Sequence, residues 1–125
     1  MTHERHYTIE QANAALEFVS ERLERLRSAR AQLTDEEARE TLTQAAPSNG
    51  GGAPGRVVSE GFLGLQEAIA ELQEMDIVLR DLDRGLVDFP AMRDGREIYL
   101  CWEEGEPEVG FWHDPEAGFG GRQPI

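Results

Sequence analysis

The sequence predicts an α+β fold: a long antiparallel two-helix hairpin, a small three-stranded antiparallel β-meander, and a wrapping Gly-rich tail. Three observations carry this. Apolar residues recur at spacings of three and four from Ile9 to Leu82. One Gly/Pro stretch, PSNGGGAPG at residues 47–55, interrupts that pattern. From Gly85 onward, short alternating runs rich in aromatic and branched residues are separated by glycine turns.

The first helical arm is expected over residues 8–46. Thr8-Ile9-Glu10-Gln11 reads as a capping box, with the Thr8 hydroxyl accepting from the Gln11 amide and the Gln11 side chain reaching back. Ile9, Ala12, Leu16, Val19, Leu23, Leu26 and Leu33 then form the apolar stripe, interrupted at Arg30. The pattern weakens there, and Thr34-Asp35-Glu36-Glu37 either continues the helix or caps a new one carrying Ala38, Leu42 and Ala45. Residues 1–7 read as a frayed polar lead-in, and His3 and His6 have nothing visible to fix them. Residues 47–55 read as a flexible loop; without the GxxxxGK[ST] pattern or a preceding strand it is no phosphate cradle. The second helix is expected over residues 57–83, with Val58, Phe62, Leu65, Ile69, Leu72, Met75 or Asp76, Leu79 and Leu82 as its stripe and Gly85 as the left-handed residue beyond its end. Both stripes are wider than one partner helix covers, so either the sheet packs on them or a second copy does; homodimerisation through the helices is the favoured expectation.

The meander spans residues 86–113. Leu86-Val87-Asp88-Phe89 alternates before Pro90, Arg93-Asp94-Gly95 is a turn, and Glu97 to Trp102 is the strongest strand. A turn at Glu103-Glu104-Gly105-Glu106 leads to a third strand, Val109-Gly110-Phe111-Trp112, whose register is open by one residue. Ile98, Leu100 and Trp102 share one face of the central strand; Glu97, Tyr99 and Cys101 share the other. Residues 114–125 form the tail, which Phe119 and Ile125 should hold against the sheet.

The 125 residues make a single domain, 39% hydrophobic and 30% charged. A formal charge of −13, without a basic stripe, argues against nucleic-acid binding. No apolar run approaches the ~20 residues of a membrane span. The one cysteine has no internal partner, which fits a reducing cytoplasm. All twelve basic residues are arginine, so lysine chemistry is excluded.

The run Asp83 to Pro90, then Asp94-Gly95-Arg96, Leu100-Cys101-Trp102, Gly105-Glu106, Phe111-Trp112-His113, and Ala117-Gly118-Phe119 through Arg122, resembles the prokaryotic family called domain of unknown function 2203. Tyr7 to Asn13 is similar to that family's start. The resemblance covers the chain apart from the Gly-rich loop. It implies no activity and carries over no catalytic residues.

Function must therefore be read from the residues. The leading expectation is a non-enzymatic, dimeric interaction or regulatory module of the cytoplasm. Its ligand or partner surface would involve Asp88, Arg96, Tyr99, Trp112, His113 and Arg122. The alternative is a small metal-dependent enzyme of hydrolytic type, in which imidazole and carboxylates hold a divalent ion. The candidate carboxylates are Asp88, Glu97, Glu106, Asp114 and Glu116. If residues 103–106 close the last hairpin, His113 lies beside Gly95-Arg96, and Asp94, Glu97, Asp114 and Glu116 are the nearer co-ligands. Glu106 would then sit ~23 Å away along the strand. The bland reading of His113 is a strand-end residue bonded to a carboxylate. Cys101, mid-strand, reads as a small buried hydrophobe and not as a nucleophile. Arg84, Arg96 and Arg122 either clamp an anion or pair with nearby acids.

Overall fold

The computed structural model describes residues 3–32 and 60–125. Expectations for residues 33–59 (the second capping signal, the Gly/Pro loop and the start of the second helix) lie outside the described residues, as do Met1 and Thr2.

The N-terminal arm begins with the capping box as expected. Thr8 Oγ1 accepts from the Gln11 amide at 3.0 Å and Gln11 Oε1 accepts from the Thr8 amide at 2.9 Å. The arm is two helices, α1 (Ile9–Ala14) and α2 (Leu16–Ala31). Between them Ala15 shares its amide hydrogen among the carbonyls of Gln11, Ala12 and Asn13, while the Asn13 side chain turns outward to accept from the Val109 amide at 2.7 Å. The buried stripe is Ala12, Val19, Leu23, Leu26 and Ala29. Arg30, where the stripe was expected to break, reaches Asp83 at 2.9 Å.

The next described helix is α3 (Glu60–Glu74), with Leu65, Ala68 and Leu72 buried against α2. It does not continue to Asp83. Asp76 adopts a left-handed φ of 59°, and the Ile77 amide donates back to the Leu72 carbonyl at 3.0 Å. Aspartate tolerates that conformation because its short side chain bonds locally, so it stops the helix as glycine often does. Residues 78–82, which keep helical spacing in the sequence, instead open a strand.

The sheet corrects the expected three-stranded meander. It has five antiparallel strands in sequential order: β1 (Val78–Asp81), β2 (Leu86–Arg93), β3 (Arg96–Glu103), β4 (Phe111–His113) and β5 (Gln123–Pro124). With three α-helices among the described residues, the simple hairpin-plus-meander is replaced by a helical layer on a five-stranded sheet. Gly85 does have a left-handed φ, 67°, but it turns β1 into β2. Asp94 and Gly95, both at positive φ (51° and 81°), form the two-residue turn between β2 and β3.

One face of the sheet supplies the core. Val87, Phe89, Ala91, Ile98, Leu100, Trp102 and Trp112 pack with the buried residues of the three helices. The lead-in is docked, not frayed: the Tyr7 amide donates to the Pro90 carbonyl at 2.7 Å, its hydroxyl donates to the Met75 carbonyl at 2.6 Å, and its ring meets Phe89 edge-on at 5.2 Å. His3 bonds the Tyr99 hydroxyl at 2.8 Å and His6 bonds Glu97 at 2.9 Å. The tail pairs with the sheet, its last residues aligning Phe111 with Pro124 and Trp112 with Gln123, but Ile125, expected to hold it there, is 47% exposed.

Candidate metal centre

The sheet's second face carries the chemistry. Side chains alternate along a strand, so Leu86, Asp88 and Pro90 of β2 point away from the helices, as do Tyr99 and Cys101 of β3 and Phe111 and His113 of β4. Asp88 lies directly opposite Cys101. His113 lies opposite Tyr99, one same-face step along β3 from Cys101, and reaches across it to Asp88. One ligand atom from each of Asp88, Cys101 and His113 falls within 4.8 Å of the other two. The three residues are 2%, 1% and 2% exposed.

The hydrogen bonds define what this cluster lacks. His113 Nδ1 lies 2.7 Å from the Asp114 carbonyl, which can only accept, so Nδ1 carries a hydrogen. That leaves Nε2 facing the cluster, 3.0 Å from Asp88 Oδ2. The same Oδ2 accepts from Arg80 Nε at 2.8 Å. Asp88 Oδ1 is buried and has no hydrogen-bond partner among the described residues. A buried carboxylate oxygen left bare costs roughly 1–3 kcal/mol or more, and a cation is one of the few things that satisfies it.

Cys101 Sγ completes the donor set. Burial pushes its thiol up to about 11, the Asp88 charge and a weak hydrogen bond to the Asp88 carboxylate add to that, and Arg122, whose Nη1 is 3.8 Å away, opposes it. Without a metal the residue is a neutral thiol. His113 Nε2 is engaged with Asp88, so the thiol has no assigned base, and a free nucleophile finds no support here. Nitrogen, sulfur and carboxylate oxygen together suit zinc and similar borderline ions. The histidine's orientation by a backbone carbonyl is what metal-ligating imidazoles ordinarily have.

A cavity of about 240 Å³ adjoins the cluster, lined by Asp88, Cys101 and His113 and closed by Arg80, Glu116 and Phe119 among others. The tail forms its roof. Phe119 is sandwiched between Arg84 at 4.2 Å and Arg122 at 4.3 Å, and Arg122 also stacks on Phe111 at 3.9 Å. Glu106 holds Arg122 by two bonds of 3.2 and 2.7 Å, and Glu103 holds Arg84 at 2.8 Å. Burial alone would raise the Glu106 carboxyl, but hydrogen bonds from Arg122 and the Glu103 backbone, with the Arg122 charge, leave it below its ordinary value.

A family model described as "Uncharacterized conserved protein (DUF2203)" matches residues 5–125. The chain belongs to the DUF2203 family. No curated protein and no solved structure matches it.

In this DUF2203 chain the sequence-named residues divide by register. His113 pairs with Tyr99, three to four positions along β3 from the expected Gly95-Arg96, because residues 104–110 make a longer connection than a turn at 103–106. Tyr99 shares a face of β3 with Cys101, which puts His113 with Asp88 and Cys101. Of the expected ligands Asp94, Glu97, Asp114 and His113, only His113 is in the cluster. Asp94 sits in the β2–β3 turn, Glu97 bonds His6 and the His3 amide, and the Asp114 carboxylate pairs with Arg96. Asp88, Tyr99, His113 and Arg122, named for a ligand surface, do share this face; Trp112 points into the core, with Arg93 and Arg96 over its ring. Cys101 as a ligand and Arg80 as its neighbour were missed. The signal for Cys101 was available, since a two-residue turn at Asp94-Gly95 sets it opposite Asp88.

Among the described residues, no helix is long and apolar enough to cross a membrane.

Proposed function

We propose that Asp88, Cys101 and His113 hold a divalent ion of the zinc class, and that this DUF2203 protein is a small metal-dependent enzyme of hydrolytic type. The bare, buried Oδ1 of Asp88 within a three-residue donor cluster carries this reading. Three protein ligands would leave a fourth position toward the cavity, the arrangement of catalytic and not of closed structural sites. A metal there supplies a polarised, acidified water. Glu116, exposed at the cavity wall, would accept the proton, and Phe119, between its two flanking arginines, lines the same cavity.

The non-enzymatic interaction module expected from the sequence has less behind it, because Asp88 and His113 are too buried to form a partner surface and Trp112 belongs to the core.

Elemental analysis of untagged protein, beside reconstitution of metal-free protein with cobalt(II), tests the proposal. Near-stoichiometric metal is expected, with a sulfur-to-cobalt charge-transfer band that disappears in Cys101→Ser while His113→Ala lowers affinity. Metal-free protein whose melting does not respond to zinc, and a folded protein without cobalt bands, would overturn it.

A further inference from the structure

Among the described residues, Arg80 is the cation of the centre whose guanidinium is not consumed by the fold. Arg122 is held by both Glu106 oxygens, and Arg84 by Glu103. Arg80 gives only its Nε to Asp88; among the described residues neither Nη group has a hydrogen-bond partner. Its side chain is 42% exposed, it lies over the Tyr99 ring at 5.1 Å, and it lines the same cavity as the three ligands. The bond to Asp88 fixes the fork, so its two Nη groups are positioned before any ligand arrives, which is how arginine recognises planar or tetrahedral oxyanions.

Charge balance points the same way. A divalent ion bound by the Asp88 carboxylate and a Cys101 thiolate is neutral as a unit. The Arg122 charge is cancelled by Glu106, and Arg80 supplies the positive charge anchored beside the open position. The wall also carries the Glu116 carboxylate, which is exposed and screened by solvent, while Leu86, Pro115, Ala117 and Phe119 add no charge. At about 240 Å³ the cavity is below the ~300–1,000 Å³ of drug-sized pockets, so the ligand is small.

We propose that Arg80 is the substrate-binding arm of this centre and that the substrate carries a small oxyanion, a carboxylate or a phosphate group, bridged between the metal's open position and the Arg80 Nη groups. This rests on the metal reading above. The juxtaposition that carries it is a half-exposed guanidinium that lines the ligand cavity, is anchored through Nε to a metal-ligand carboxylate, and has no hydrogen-bond partner at either Nη among the described residues.

The test titrates the cobalt(II)-loaded full chain with acetate, inorganic phosphate and neutral acetamide, following the visible cobalt bands. Acetate or phosphate should perturb the bands with saturation, and acetamide should not. The tighter of the two names the class, carboxylate or phosphoryl. Arg80→Gln should keep the sulfur-to-cobalt band while raising the oxyanion Kd by roughly tenfold or more, the value of one charge-assisted contact; Arg80→Lys should fall between. Cobalt binding with no oxyanion response, an equal response to acetamide, or an unchanged Kd in Arg80→Gln would overturn the inference and leave the metal site standing. A folded chain that takes up no cobalt would remove both.

Discussion

At the scale of single residues, the Cys101 thiol has the clearest measurable consequence. Burial and the Asp88 charge move it from its ordinary 9.0 to about 11. The folded thiol therefore keeps its proton to higher pH than the unfolded one. The stability it contributes is intact below about pH 9 and is lost as the pH rises toward about 11. Thiol reagents at pH 8 should label Cys101 only as fast as the chain unfolds; rapid labelling of the folded protein would contradict the burial. The same proton opposes metal, because only the thiolate is a ligand. Zinc affinity should thus rise by about tenfold per pH unit for the one proton released, in the range where nothing else titrates. Competition with a metal indicator between pH 6 and 8 measures that slope, and a flat profile would mean that Cys101 stays out of the site.

At the scale of elements, turns decide where strands meet. Gly85 joins β1 to β2 at a φ of +67°, and a Cβ there would lie 2.5 Å from the Glu104 Cβ. Gly85→Ala should therefore cost ~3 kcal/mol, the sum of the left-handed penalty and an overpacked contact. A denaturant midpoint shifted by less than a third of that would show that Glu104 gives way easily. The Asp94-Gly95 turn works differently: its residues need positive φ, but a Cβ on Gly95 meets nothing, so its role is conformational alone. Because that loop has two residues, it sets the entire β2–β3 register, including Asp88 against Cys101. The β3–β4 connection has no such constraint, and its register depends on what the tail packs against.

At the scale of the whole molecule, the tail roofs the candidate centre and is tied down by Glu106 and Arg122. The depressed Glu106 carboxyl contributes stability that is present above its ordinary value of 4.5 and lost as the pH falls through its lower folded value. Below about pH 4, amide exchange at residues 119–125 should accelerate before that of α2 and α3. Simultaneous loss of protection would mean that the clamp is not a separate unit. The helical layer has its own test. The sheet covers one side of α2 and α3, yet Leu63 remains 52% exposed. A dimer through the helices, proposed from their wide stripes, puts Leu63 in the contact, so light scattering should give twice the chain mass and Leu63→Glu should halve it. A wild-type monomer removes the proposal.

Local chemistry along the chain suffices for the Thr8 capping box, the stripe positions Ala12, Val19, Leu23 and Leu26, the Asp94-Gly95 turn, and the two faces of β3. The sequence also carried the family resemblance. Each depends on neighbours a few residues away, or on a register propagated from a two-residue loop, so no distant contact is needed. Tertiary structure decided where α3 stops, that β1 and β5 extend the sheet, and that His113 joins Asp88 and Cys101. Residues 78–82 have apolar spacing compatible with helix or strand, and the choice follows from the left-handed Asp76 and from pairing with β2. The position of His113 follows from a seven-residue connection, 104–110, whose length permits several registers. Packing selects the one that buries Trp112 against the helices, and the alternation of the strand then turns His113 toward the Asp88 carboxylate.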